Sequence, residues 1–117
     1  MDSNSLKNIN LLTFSAPKIQ GIKKDIAMME RALVYLKNGE RLSSCYAYEV
    51  FHLIFTDLEV LQEALKKAVL IETDPNILCT LQEYLSELDA YLTKAITLQN
   101  LFQPYLYCPA LEGSNGS

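Results

Sequence analysis

Glycine and proline are scarce in this 117-residue chain, with four of each, and tryptophan is absent. So few turn-formers argue against a β-sandwich or barrel, which needs a turn signal about every 8–12 residues. They also exclude a low-complexity chain. Histidine occurs once, as His52. A single imidazole builds a zinc site only if cysteines or carboxylates converge on it, and nothing in the spacing of Glu49 and Asp57 suggests that they do. The three cysteines, Cys45, Cys79 and Cys108, form no C-x-x-C pair. An odd, widely spaced set reads as reduced thiols and predicts a cytoplasmic or nuclear setting; Cys45 and Cys79 read most simply as small buried residues, and Cys108 in the tail as the exposed one. No run of about 18 apolar residues exists, so no membrane-spanning helix is expected. The apolar stretch from Ile9 to Leu12 is interrupted by Asn10 and is too short for a secretory signal.

A cationic excess is missing too. The formal net charge is −4 and the sequence pI about 4.9. Nucleic-acid binding draws on a positive footprint that releases phosphate counterions, so no nucleic-acid partner is expected. Charge is nevertheless uneven. Residues 1–41 hold Lys7, Lys18, Lys23, Lys24, Arg31, Lys37 and Arg41 against four acids, whereas residues 42–117 hold three lysines against ten acids. The simplest arrangement packs a basic first helix beside acidic later ones.

What the chain has is apolar residues at helical spacing. Hydrophobic residues make up 50% and charged residues 21%, which suits one folded domain with a sizeable core. Residues 1–14 read as an N-terminal arm. Ser15 is a good helix cap, Pro17 suits a first helical turn, and Phe14 with Ile19 has the spacing of a hydrophobic staple. Ile19, Ile22, Ile26, Met29, Leu33 and Leu36 then alternate steps of three and four, a heptad seam. Asn38-Gly39 supplies its stop. A second helix is expected from about Leu42 to Glu72, with the seam Phe51, Ile54, Leu58, Leu61, Leu65 and Ala68. Around it lies a wider set, Tyr46, Val50, Leu53, Val60 and Ala64, as in a helix with several neighbours. Thr73-Asp74-Pro75 marks the next boundary. The third helix should reach about Gln103, before Pro104, with the seam Leu78, Leu81, Leu85, Leu88, Leu92, Ala95 and Phe102.

Three long helices with short links predict an all-α fold, an elongated antiparallel three-helix bundle running up, down and up. The bundle spans residues 15–103, with the arm before it and an aromatic tail, 104–117, after it. The runner-up is a four-helix arrangement completed by the arm or by another chain.

No glycine-rich phosphate loop, nucleophile elbow or Glu-x-x-His pairing marks a catalytic or metal site, and no cofactor is expected. The predicted function is therefore a protein–protein interaction module, a small helical subunit or adaptor of a larger assembly. The alternative is a small helical enzyme or ligand-binding bundle with an internal pocket. The candidate partner surface is a tyrosine-rich strip. On the third helix Tyr84, Tyr91, Leu98 and Tyr105 continue a seven-residue row from Ile77, and on the second Tyr48 and Phe55 stand seven apart. Tyr107 in the tail extends it. Tyrosine joins a large apolar face to a polar tip and is common at binding hot spots. The expected partner is another protein docking a helix, with a homodimer of this chain as one form of it and no membrane or nucleic acid involved.

Overall fold

The structure is a computed structural model that describes residues 2–107. Helix α1 runs Ser3–Lys37, α2 runs Ser44–Ile71 and α3 runs Pro75–Phe102. All three pack on one another in a body of 65 × 26 × 18 Å. The all-α bundle follows from the links. Asn38 to Ser43 and Glu72 to Asp74 are too short to do anything but fold each helix back on the last. Helices α1 and α3 therefore run parallel, with α2 antiparallel between them.

Each helix starts on a side-chain cap. Asp2 accepts from the Ser5 amide at 2.8 Å, Ser43 from the Cys45 amide at 3.2 Å, and Asp74 from the Asn76 and Ile77 amides. Pro75 takes the first position of α3, where its missing N–H costs nothing. Gly39 follows the C-cap Asn38 with φ of 100°, the left-handed conformation that turns the chain out of α1.

The expected seams of α1 and α2 are buried throughout, from Ile19 to Leu36 and from Phe51 to Ala68. In α3 the buried residues are Leu81, Leu88, Ala95, Leu98 and Phe102. Leu78, Leu85 and Leu92 are only half-buried, because α3 sits over the α1–α2 junction and shares burial between two flanking rows. The Phe51 and Phe102 rings meet edge to face at 5.4 Å and fill the end where α2 begins and α3 stops.

Two features depart from the sequence expectations. Residues 3–14 are not an arm; they are the first three turns of α1. Ser15 and Pro17 lie inside that helix rather than at its start. The reason is that the heptad seam continues downward from Ile19 through Ser15, Leu12, Asn8 and Ser5. Ser5, Asn8 and Ser15 are buried although they are polar, and Leu12 packs against the core. The second departure is in the tail. Gln103–Tyr105 form a 3₁₀ turn, and Leu106–Tyr107 pair in parallel with Leu42–Ser43, Leu42 opposite Leu106 and Ser43 opposite Tyr107.

Candidate functional site

The tyrosine strip does not assemble into one surface. Tyr84 and Tyr91 are half-buried and pack against the core, as does Phe55, and Leu98 is a core residue. The row Ile77, Tyr84, Tyr91, Leu98 is the flank of α3 that faces α1. Lys94, which adjoins it, pairs with Glu30 of α1 at 3.4 Å. The Tyr91 hydroxyl donates to Glu87 at 3.0 Å, and burial together with that carboxylate raises its pKa. Phe55 stacks near Phe51, 6.4 Å between centroids. Only Tyr48 and Tyr105 are well exposed, and they stand apart from the rest. The side chain of Tyr107 and all of Cys108 lie outside the described residues. Cys45 and Cys79, expected as small buried residues, are exposed free thiols because each falls on the outer face of its helix. His52 also faces solvent.

Buried polar groups gather at the foot of the bundle. Glu72, just past the end of α2, accepts from the Ser5 hydroxyl at 2.6 Å, the Asn8 amide at 2.8 Å, and the Thr73 and Asp74 backbone amides at 3.0 and 3.1 Å. These donors, the Ser5 hydroxyl first, outweigh burial and hold the carboxyl down at about 2. A carboxylate with its lone pairs so engaged is a poor general base. The cluster is a clasp between α1 and the α2–α3 link. Among the described residues no group of three or more His, Cys, Asp or Glu side chains could hold a metal ion.

A heptad-spaced row of exposed apolar side chains lies elsewhere, on the face between α1 and α2. Tyr46, Leu53 and Val60 recur every seven residues along α2 and are 46–60% exposed. Phe14 and Tyr35 of α1, 57 and 59% exposed, stand on the other side of the groove. A cleft of about 330 Å³ between the two helices is lined by Phe14, Pro17, Lys18, Gly21, Asp25 and Asp57. A smaller one continues it to Val60 and Leu61, and a third, near the turn into α2, lies between Tyr35 and Leu42. Half-buried Leu11, Met28, Ala32 and Val50 form the floor. Lys18 sits over the Phe14 ring, 5.5 Å from its centroid.

The rest of the surface also exposes apolar side chains, among them Leu6, Val34, Tyr48, Ile96 and Leu101, but mixed with polar ones. Between α2 and α3, exposed His52, Glu59 and Lys66 flank a Gln62–Asp89 hydrogen bond of 2.8 Å. Between α1 and α3 lie Lys23, Lys37 and the Glu30–Lys94 pair. The signal for the apolar face was present in the sequence as the wider set on α2. Helical spacing alone assigned Tyr46, Leu53 and Val60 to intramolecular neighbours, and a three-helix bundle has no fourth neighbour to cover them. No helix among the described residues is long and apolar enough to cross a membrane. No family model, curated protein or solved structure matches this chain.

Proposed function

We propose that this chain is a protein–protein interaction module, a small helical subunit or adaptor that takes another helix, or a helix pair, along its α1–α2 face. The observation that supports this best is the heptad-spaced row Tyr46, Leu53 and Val60, exposed beside Phe14 and above an apolar floor. Contiguous exposed apolar patches on small proteins are commonly interaction sites. A row repeating every seven residues is the form that a docked helix requires. The expected tyrosine strip is not part of this face: Tyr84, Tyr91, Phe55 and Leu98 pack on the core, and the exposed Tyr48 and Tyr105 stand apart from the row.

The same features favour a protein partner over the alternatives. From Ile19 to Leu36 and from Phe51 to Ala68 the buried seams are apolar, at the foot Ser5, Asn8 and Glu72 are engaged with one another, and the clefts open to solvent, so an internal ligand pocket draws no support from them. The cations of α1 are spread around its circumference. Lys7 and Lys18 lie toward α2, Lys24 and Arg31 point away from the bundle, and Lys23 and Lys37 lie toward α3. That is not the dense stripe that tracks a phosphate backbone. Exposed free thiols at Cys45 and Cys79 are compatible with a reducing, cytoplasmic or nuclear setting.

The test is a double substitution, Leu53→Glu with Val60→Glu. Both side chains are exposed, so melting should change by only about 0.5 kcal/mol in stability. A partner recovered in stoichiometric amount by the parent chain should be lost by the variant. Equal recovery by both proteins would refute this face as the docking surface.

A further inference from the structure

We propose that the occupant of the α1–α2 face is a second copy of this chain, docked about a two-fold axis that crosses α1 at Gly21; this rests on reading that face as the docking surface. Gly21 is the first observation. It is helical, has no positive φ, and a Cβ added there would meet nothing within 4 Å. An exposed helical glycine costs about 1 kcal/mol relative to alanine, and the single chain offers no reason for it. A second backbone crossing closely at this point supplies one.

The residues around Gly21 are self-complementary when the helix is laid antiparallel on itself. Along its own seven-residue row, Phe14 comes opposite Met28 of the second copy. Along the adjoining row, Lys18 comes opposite Asp25, and by symmetry Asp25 opposite Lys18. Neither Lys18 nor Asp25 has an ion-pair partner among the described residues. Both line the cleft that contains Gly21. An isologous interface needs this kind of pattern, in which each contact occurs twice.

Helix α2 has the same symmetry at the same level. Asp57 shares the Gly21 cleft, and Leu53 is one turn from Asp57. Val60 stands about one turn to the other side of Asp57, so the two-fold sets Leu53 of each copy against Val60 of the other. Two helices from each copy then close a four-helix contact, covering on both copies the row that is exposed in one.

Sedimentation equilibrium of the full chain tests this. The parent should be dimeric at tens of micromolar. Lys18→Asp or Asp25→Lys places like charges opposite each other twice, so each should weaken the dimer at least about tenfold. The double variant, Lys18→Asp with Asp25→Lys, should restore affinity to within about threefold of the parent, since the exchanged charges again meet their opposites. A parent that stays monomeric, or a double variant as weak as the singles, overturns the self-pairing. If in that case Leu53→Glu with Val60→Glu still loses a stoichiometric protein that the parent retains, the docking face stands and only its occupant is wrong. If it loses nothing, both fail.

Discussion

The body of the bundle and its foot are built on one seven-residue repeat but are filled by different chemistry. From Ile19 to Leu36 the α1 seam is isoleucine, methionine and leucine, closed against Phe51, Ile54 and Leu58 of α2. Below Ile19 the same helix carries Ser15, Leu12, Asn8 and Ser5 at the same spacing, and α2 ends its own seam on Glu72. The upper part gains from removing apolar surface from water, about 1.5–3 kcal/mol for each large side chain. The foot gains from mutual satisfaction of polar groups, which contributes little net but is costly to leave incomplete. Position in the repeat decides what is buried, and residue type decides how that burial is tolerated.

The largest effect should come from breaking the apolar part. Leu58 is fully buried at the middle of α2. Leu58→Asp places an unpaired charge there and should cost several kcal/mol, enough to unfold a domain of this size. Circular dichroism should show loss of the cooperative helical transition. An unaltered melt would mean that the centre of the bundle is far looser than its packing implies. Leu85→Asp should do less, because Leu85 is half-buried at the flank of α3.

A second, smaller effect should set the foot apart by its response to pH. The Glu72 carboxyl is held at about 2 in the folded chain, against an ordinary value of 4.5. A folded pKa below the unfolded one means that the contribution is complete above pH 4.5 and is lost as pH falls toward 2. The Glu72→Gln chain cannot show this dependence. Its melting temperature should lie below the parent's at neutral pH, and the gap should close between pH 4.5 and 2. A gap that stays constant across that window would show that the clasp stabilises through shape rather than charge.

The contrast also explains what could be read from sequence. The three helices, the Asp74-Pro75 boundary and the Asn38-Gly39 stop were legible, because apolar period and cap chemistry agree at those places. The first three turns of α1 were not. Serine and asparagine at core positions look like a solvated arm, and Ser15 followed by Pro17 imitates a helix start. Their partner Glu72 is 64 to 67 residues away in sequence, and no local pattern reports such a contact. The strand pairing of Leu42 with Leu106 was hidden for the same reason. The apolar face was half legible. Tyr46, Leu53 and Val60 stood out as apolar, but only the packing of three helices reveals that no part of the described chain covers them. Heptad spacing likewise identified Tyr84, Tyr91 and Leu98 as a row without saying which neighbour it meets.

The smallest effect should come from the point where the two kinds of filling meet. Ser15 is fully buried, and its hydroxyl has no hydrogen-bond partner. It stands one heptad step below Ile19, at the lower edge of the apolar stretch, and about two turns above the Ser5–Asn8–Glu72 cluster, out of its reach. An unmet buried hydroxyl carries a desolvation cost of about 1–3 kcal/mol. Serine is also a weaker helix former than alanine by roughly half a kcal/mol. Replacing the hydroxyl with hydrogen removes both terms and opens almost no space. Ser15→Ala should therefore stabilise the chain by about 1 kcal/mol, raising the melting temperature by roughly 4 °C. Asn8→Ala, which deletes a satisfied donor and leaves one oxygen of Glu72 without it, should move melting the other way. If Ser15→Ala lowers the melting temperature, the hydroxyl has a partner in solution, and the polar clasp reaches about two turns further into the bundle than its hydrogen bonds indicate.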